Sequence, residues 1–123
     1  MTSGLQEALH RVLAVDGART VALIDVATGM VIRSVGEEDA DLAVAAASVA
    51  DEARAARGAL GPRRGSGELD EIAVVTRNRL HLAKVLQDRP GEGFLLFVDL
   101  DRLRTNVALA SLRVGQVATS VLA

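Results

Sequence analysis

The chain has 123 residues, a formal net charge of −2 and a half share of hydrophobic residues, which suffices for one domain with its own core and leaves little for a second. The slight acidity excludes the basic footprint of a nucleic-acid binder or a ligand of anionic membrane surfaces. The lack of cysteine excludes a disulfide framework, a thiolate metal site and a cysteine nucleophile, and the lack of Trp and Tyr leaves aromatic-lined pockets without their usual side chains.

The first residues, MTSGLQEALHRVLAVDG, show no basic start followed by an apolar run, so they do not read as a signal peptide. No apolar stretch approaches the roughly 18 residues of a membrane span. The expectation is a reducing cytoplasm with no membrane insertion.

Leu5, Leu9, Val12 and Leu13 recur at helical spacing and Gly17 follows as a stop, which predicts a first helix over residues 4–15. TVALIDV at 20–26 is rich in β-branched residues, ATG turns the chain with Gly29 supplying the turn conformation, and MVIRSV follows as the second strand of a hairpin. Asp39 is a suitable N-cap for a long helix reaching Leu60, with Glu37 and Glu38 near its positive end. GPRRGSG then reads as a loop, with Arg63 and Arg64 solvated on it.

Three further strands follow, ELDEIAVVT, LHLAKVLQ and GFLLFVDL, joined by links short enough to make them antiparallel neighbours. A last helix is expected from Asp101, acting as its cap, with Leu103, Val107, Ala110, Val114, Val117 and Val121 on one apolar stripe. The order is α-β-β-α-β-β-β-α, an α+β arrangement with five strands. The strands are apolar on both faces: Ile72 and Val74 alternate with Ala73 and Val75, and Phe94, Leu96 and Val98 with Leu95 and Phe97. A five-stranded antiparallel sheet covered by helices on both faces accommodates that pattern; a sheet wet on one side does not.

The middle helix has unusually small side chains. At 100° per residue, Leu42, Ala46, Val49, Ala53, Ala56 and Leu60 form a stripe suited to the sheet. Ala43, Ala47 and Ala50 form a second stripe, continued by Arg54, while Asp41, Ser48, Asp51 and Glu52 mark a wet side. Small side chains let another helix approach closely, so the second stripe is read as a contact with another copy of the chain.

No catalytic or cofactor-binding constellation is present in this reading, and the chain is expected not to be an enzyme, with no cofactor and no metal. His10 and His81 lack ligand-spaced partners. GSG at 65–67 and GEG at 91–93 lack the context of a phosphate loop. Asp101 is accounted for as a cap, and Asp70 and Glu71 as solvated acids.

VALIDVATGMVIRS and GFLLFVDLDRLRTNVALASLR, with RLHLAKVL between them, resemble in that order the Roadblock (dynein light chain) family, in particular its bacterial members. Asn106 to Ala110 resembles the family's Asn-x-Ala-Leu-Ala core in the last helix. The resemblance implies a profilin/longin-like Roadblock fold in which the first and last helices cover one sheet face and the middle helix the other. It also implies a homodimer paired through the third strand, at Ile72 and Val74, and through the middle helices, at Ala43, Ala47, Ala50 and Arg54.

The function the resemblance implies is a non-enzymatic regulatory scaffold for a small Ras-like GTPase, linked to a sensor-kinase-like protein in a bacterial signalling system. Asp51, Glu52 and Arg57 are then the candidate partner surface, and Arg54 or Arg57 the candidates for an arginine finger. A small-ligand sensor of the PAS or GAF kind is the alternative; it requires a roomy pocket that densely apolar strands and few aromatics disfavour. A purely structural assembly module is the third reading.

Overall fold

The computed structural model describes residues 2–38, 40–60, 69–86 and 93–121. The first helix, α1 (Thr2–Leu13), buries Ala8, Leu9 and Val12 on one face. It leads into the hairpin of β1 (Ala18–Asp25) and β2 (Val31–Gly36). Asp25 builds the turn between them: its carbonyl accepts from Gly29 N at 2.8 Å and its carboxylate from the Thr28 hydroxyl at 2.8 Å. Gly29 closes the turn with φ +73°, a left-handed backbone that costs glycine little, as its role in the sequence requires.

The long helix α2 spans Leu42–Leu60. Ala45 N donates to the Asp41 carbonyl at 2.9 Å, so Asp41 takes the capping position at the helix start. Asp39 lies outside the described residues, and Glu37 is held by Arg19 through two hydrogen bonds of 3.0 and 2.9 Å. The GPRRGSG segment with Arg63 and Arg64, and the DRPGE link, also lie outside the described residues.

Strands β3 (Glu71–Val75), β4 (Arg79–Val85) and β5 (Phe94–Asp101) complete a sheet of order β2-β1-β5-β4-β3, antiparallel throughout. The chain then differs from the sequence reading. Asp101 caps a single 3₁₀ turn, Arg102–Arg104, its carboxylate accepting from Leu103 N at 3.0 Å. Thr105 is extended, and the last helix α3 runs from Val107 to Val121. Its cap is Asn106, whose side chain accepts from Leu109 N at 3.0 Å. Leu103 is therefore no part of the α3 stripe and stands 80 % exposed.

Two apolar layers flank the sheet. On one face Leu80, Leu82, Leu96, Val98 and Leu100 meet Leu9 and Val12 of α1 and Ala110 and Val114 of α3. On the other, Ala22, Ile24, Ala83, Leu95 and Phe97 meet Ala46, Val49, Ala50 and Ala53 of α2. The side-chain period of two sends alternate residues of β4 and β5 to these two layers, which is why apolar residues occur on both faces of these strands. The expected arrangement, α1 and α3 on one face and α2 on the other, is the one observed.

Candidate interaction site

The outward side of α2 is built from small and short residues. Ala43, Val44, Ala47, Ser48, Asp51, Arg54 and Ala55 are all exposed, and Val44, at 69 %, lies opposite the sheet-facing line of Ala46 and Ala53. Ala50 departs from its expected place. It is fully buried against the chain's own sheet and cannot meet a second copy. The physical reason is angular: Ala50 lies within a turn's reach of both Ala46 and Ala53, and the sheet, being wide, takes it as well. Ser48, expected on a separate wet side, shares the outward surface with Ala47.

Ala47 also has a partner of its own. A β-carbon on Gly29 would stand 3.1 Å from Ala47 Cα, so the β1–β2 turn closes against α2 because both positions are small. Arg54 is committed nearby. Its guanidinium donates to the Val26 carbonyl and to the Asp51 carboxylate, tying α2 to the end of β1. Glu52 and Arg57 are half-buried.

β3 is one edge of the sheet, pairing with β4 alone among the described strands. Ile72 is half-buried and packs into the α2 layer, whereas Val74 and Val75 are exposed, Val75 to 49 %. An open strand with bare valines is an edge that invites pairing. Of the predicted interface residues, Ala43, Ala47, Arg54 and Val74 are exposed, Ile72 is partly so, and Ala50 is not. Asp51 of the predicted partner surface is exposed, and Glu52 and Arg57 sit lower on the same helix.

A second cluster escaped the sequence reading. The β4–β5 register sets His81 opposite Asp99. Asp99 is buried; Arg79 Nη2 donates to its Oδ2 at 2.6 Å, and His81 Nε2 stands 3.3 Å from Oδ1. That second contact is an ion-pair distance without hydrogen-bond alignment, so Oδ1 is left without an aligned donor. Burial pushes the carboxyl up, but His81, Arg79 and Arg19 outweigh it and hold Asp99 below its ordinary value. His81 also meets the Phe97 ring edge-on at 5.1 Å. The arrangement accounts for His81 as a packed strand histidine.

Lys84 forms a third polar group, its Nζ 3.0 Å from Asp70 and 3.8 Å from Glu71. Glu71 in turn accepts from the Ser111 hydroxyl at 2.8 Å, linking β3 to α3. Glu71, expected to be solvated, therefore ties the last helix to the sheet edge, whereas Asp70, its side chain 83 % exposed, lies at the surface as expected, beside Lys84. Among the described residues no three metal-ligating side chains come together, and no helix is long and apolar enough to cross a membrane.

Neither a protein-family model nor a curated protein sequence matches the chain. Solved structures do. The chain is similar to the gliding protein MglB of Thermus thermophilus, with 22 % identity and a TM-score of 0.78 over 97 % of this chain and 86 % of that one. It is similar to MglB of Myxococcus xanthus at 21 % identity and a TM-score of 0.78, over 97 % and 85 %. A Roadblock/LC7 domain from Streptomyces avermitilis aligns at 18 % identity and a TM-score of 0.75, over 92 % and 89 %. The three helices, the five-stranded antiparallel sheet and their order are common ground, and the chain has the Roadblock/LC7 fold.

Proposed function

We propose that this chain is a single-domain, homodimeric regulatory scaffold that binds a small Ras-like GTPase and contributes no catalytic residue. The observation that carries the reading is the pairing of two open surfaces on one side of the molecule. The outward face of α2 is small-residued and carries the exposed Val44, and the β3 edge beside it exposes Val74 on the same side of the sheet, with Val75 on the other. A two-fold axis at β3 would continue the sheet into the second copy and bring the two α2 helices together. Obligate dimers of this kind bury roughly 2,000 Å² or more.

The likeness to MglB and to a Roadblock/LC7 domain supports the scaffold reading. So does the state of the polar side chains. The two arginines that could serve in trans are engaged on α2 itself or half-buried there, and the Asp99 cluster is an internal ion pair. The paired α2 helices, with Asp51, Glu52 and Arg57 at their margin, form the surface a GTPase would meet. A sensor-kinase-like protein in the same system and a cytoplasmic site of action belong to this reading. The layer between α2 and the sheet is filled by Ala46, Val49, Ala50 and Ala53 against Ile24, Leu95 and Phe97, which disfavours a ligand-sensing cavity there.

The experiment is light scattering at micromolar concentration, followed by titration with a Ras-like GTPase encoded beside the chain, in both nucleotide states. A dimer mass and binding to at least one state are expected. A monomer mass refutes the dimer, and no binding at tens of micromolar refutes the partner.

A further inference from the structure

The face opposite α2 carries a second feature that the dimer does not use. A groove of about 600 Å³ runs along α3, walled on its other side by Arg11 near the end of α1 and by the link that follows that helix, with Val15, Leu109, Ala110 and Val117 among its lining. It extends along α3 from Asn106 to Ser120, a span of about 21 Å. Leu109 and Leu112 beside it are 45 % and 57 % exposed, so the apolar surface continues out of the groove onto the helix.

The rim is cationic at one end. Arg11 reaches across from α1, its Nη2 donating to the Ser120 hydroxyl at 3.1 Å, and Arg113 stands on α3. Among the described residues neither guanidinium meets a carboxylate; every ion pair recorded there lies elsewhere. Arg113 and Ser120 are seven residues apart on α3, which sets the two cationic points about 10 Å from one another along the groove. Asp16 lines the opposite end, by Asn106, and opposes a negative charge there.

We infer that this groove is a docking site for an acidic amphipathic helix of a partner protein. An elongated trough along α3 with apolar residues in its lining fits a further helix laid against α3, and a compact ligand would leave most of its four-turn length bare. The two arginines select carboxylates about seven residues apart on that helix, beside its apolar stripe. Asp16 fixes the direction, since the acidic half must lie at the Ser120 end. The inference stands apart from the GTPase reading, because the groove and the α2 face lie on opposite sides of the sheet.

The test uses the isotope-labelled full chain and two synthetic helical peptides with the same leucine stripe. One carries glutamates seven apart, and the other carries lysines at those positions. Saturable binding of the glutamate peptide is expected, with amide shifts centred on Arg11, Leu109, Arg113 and Val117, and with affinity falling as salt rises. The Arg11→Glu/Arg113→Glu variant should lose about tenfold for the glutamate peptide and gain for the lysine peptide. Equal binding of both peptides, shifts centred on α2, or no saturable binding below millimolar peptide overturns the inference. So does a tetramer mass for the wild type that falls to a dimer in Arg113→Glu, which would assign the groove to a second copy instead. Unchanged amide dispersion in the variant confirms that any loss is not unfolding.

Discussion

Arg79 donates from Nη2 to Oδ2 of Asp99 at 2.6 Å, across neighbouring strands, onto a carboxylate whose side chain is 5 % exposed. The two residues are not directly opposite. Arg79 pairs with Asp101 and His81 with Asp99, so the arginine reaches diagonally and the guanidinium and the imidazole converge on one buried acid. A buried charge with a hydrogen-bonded partner is tolerated, whereas the same charge without one is costly.

Arg79→Ala is therefore expected to destabilise the chain by about 2 kcal/mol, less than for a fully buried pair because the arginine itself is partly exposed. Asp99→Asn should cost less than Arg79→Ala, since it removes the charge that needs compensating. Denaturant midpoints at neutral pH check the order. Arg79→Ala at wild-type stability would show that the pair is idle.

The same pair sets an acid limit. Asp99 is held below its ordinary value of 3.8 despite the opposing effect of burial. A carboxyl depressed on folding gives its full stabilisation above its unfolded value and loses it as pH falls through the folded one. The stability gap between wild type and Asp99→Asn should thus be constant from neutral pH down to about pH 5 and shrink below about pH 4. Urea midpoints across that range measure it. A gap that widens with acid would reverse the assignment.

Gly36, at the end of β2, has φ +102°, and a β-carbon there would stand 2.3 Å from the Arg19 carbonyl oxygen. Both the backbone region and the contact exclude a side chain, and the blocking atom is main chain that cannot swing away. Gly36→Ala should cost about 2 kcal/mol or more. Gly58, within α2 and with nothing within 4 Å of its would-be β-carbon, should gain about 0.5–1 kcal/mol as alanine in the monomer. Thermal melts of the two variants should move in opposite directions.

The dimer is tested on α2. Val44→Asp and Ala47→Asp place a carboxylate where the second helix would lie, at a cost of about 3 kcal/mol for an unpaired buried charge. Glu7→Lys, exposed on α1, is the control. Light scattering on dilution should show dissociation for the first two alone. Wild-type mass in all three would remove α2 from the interface.

Much of this fold is legible in the residues. Leu9 and Val12, Val114 and Val117, and the β-branched run in β1 each repeat with the period of the element they form, and local period is what a sequence displays. The failures share a cause. Asp101 is a good cap, but the turn it caps is 3₁₀, and Asn106, the other cap-competent residue before the apolar run, starts the true helix. Ala50 looks like its neighbours because two adjacent alanine stripes give no signal of which one the sheet will cover. His81 looks solitary because Asp99 is eighteen residues away, and only the β4–β5 register brings them together. The small residues on the outward side of α2 are visible in the sequence and the role of the β3 edge is implied only by the family resemblance, whereas the groove beside α3 depends on the spacing of segments that no local pattern encodes.

Arg54 decides whether the proposed scaffold takes part in chemistry. An arginine finger must extend freely into a partner's nucleotide site, and where one exists it contributes about 10³–10⁵ in rate. Arg54 is instead turned back onto its own chain, donating to the Val26 carbonyl and the Asp51 carboxylate. To act in trans it would have to abandon both, leaving the part-buried Val26 carbonyl just after β1 without this donor and loosening α2 where it crosses the β1–β2 turn. Arg54→Ala should therefore cost about 1 kcal/mol of stability while leaving GTP hydrolysis by the bound GTPase at the wild-type rate. Arg57→Ala, half-buried on the same helix, should likewise leave hydrolysis unchanged. Single-turnover hydrolysis with saturating scaffold measures the rate, and a denaturant midpoint measures the stability. Binding retained with hydrolysis reduced about a hundredfold in either variant would make that arginine a catalytic residue and overturn the non-catalytic reading.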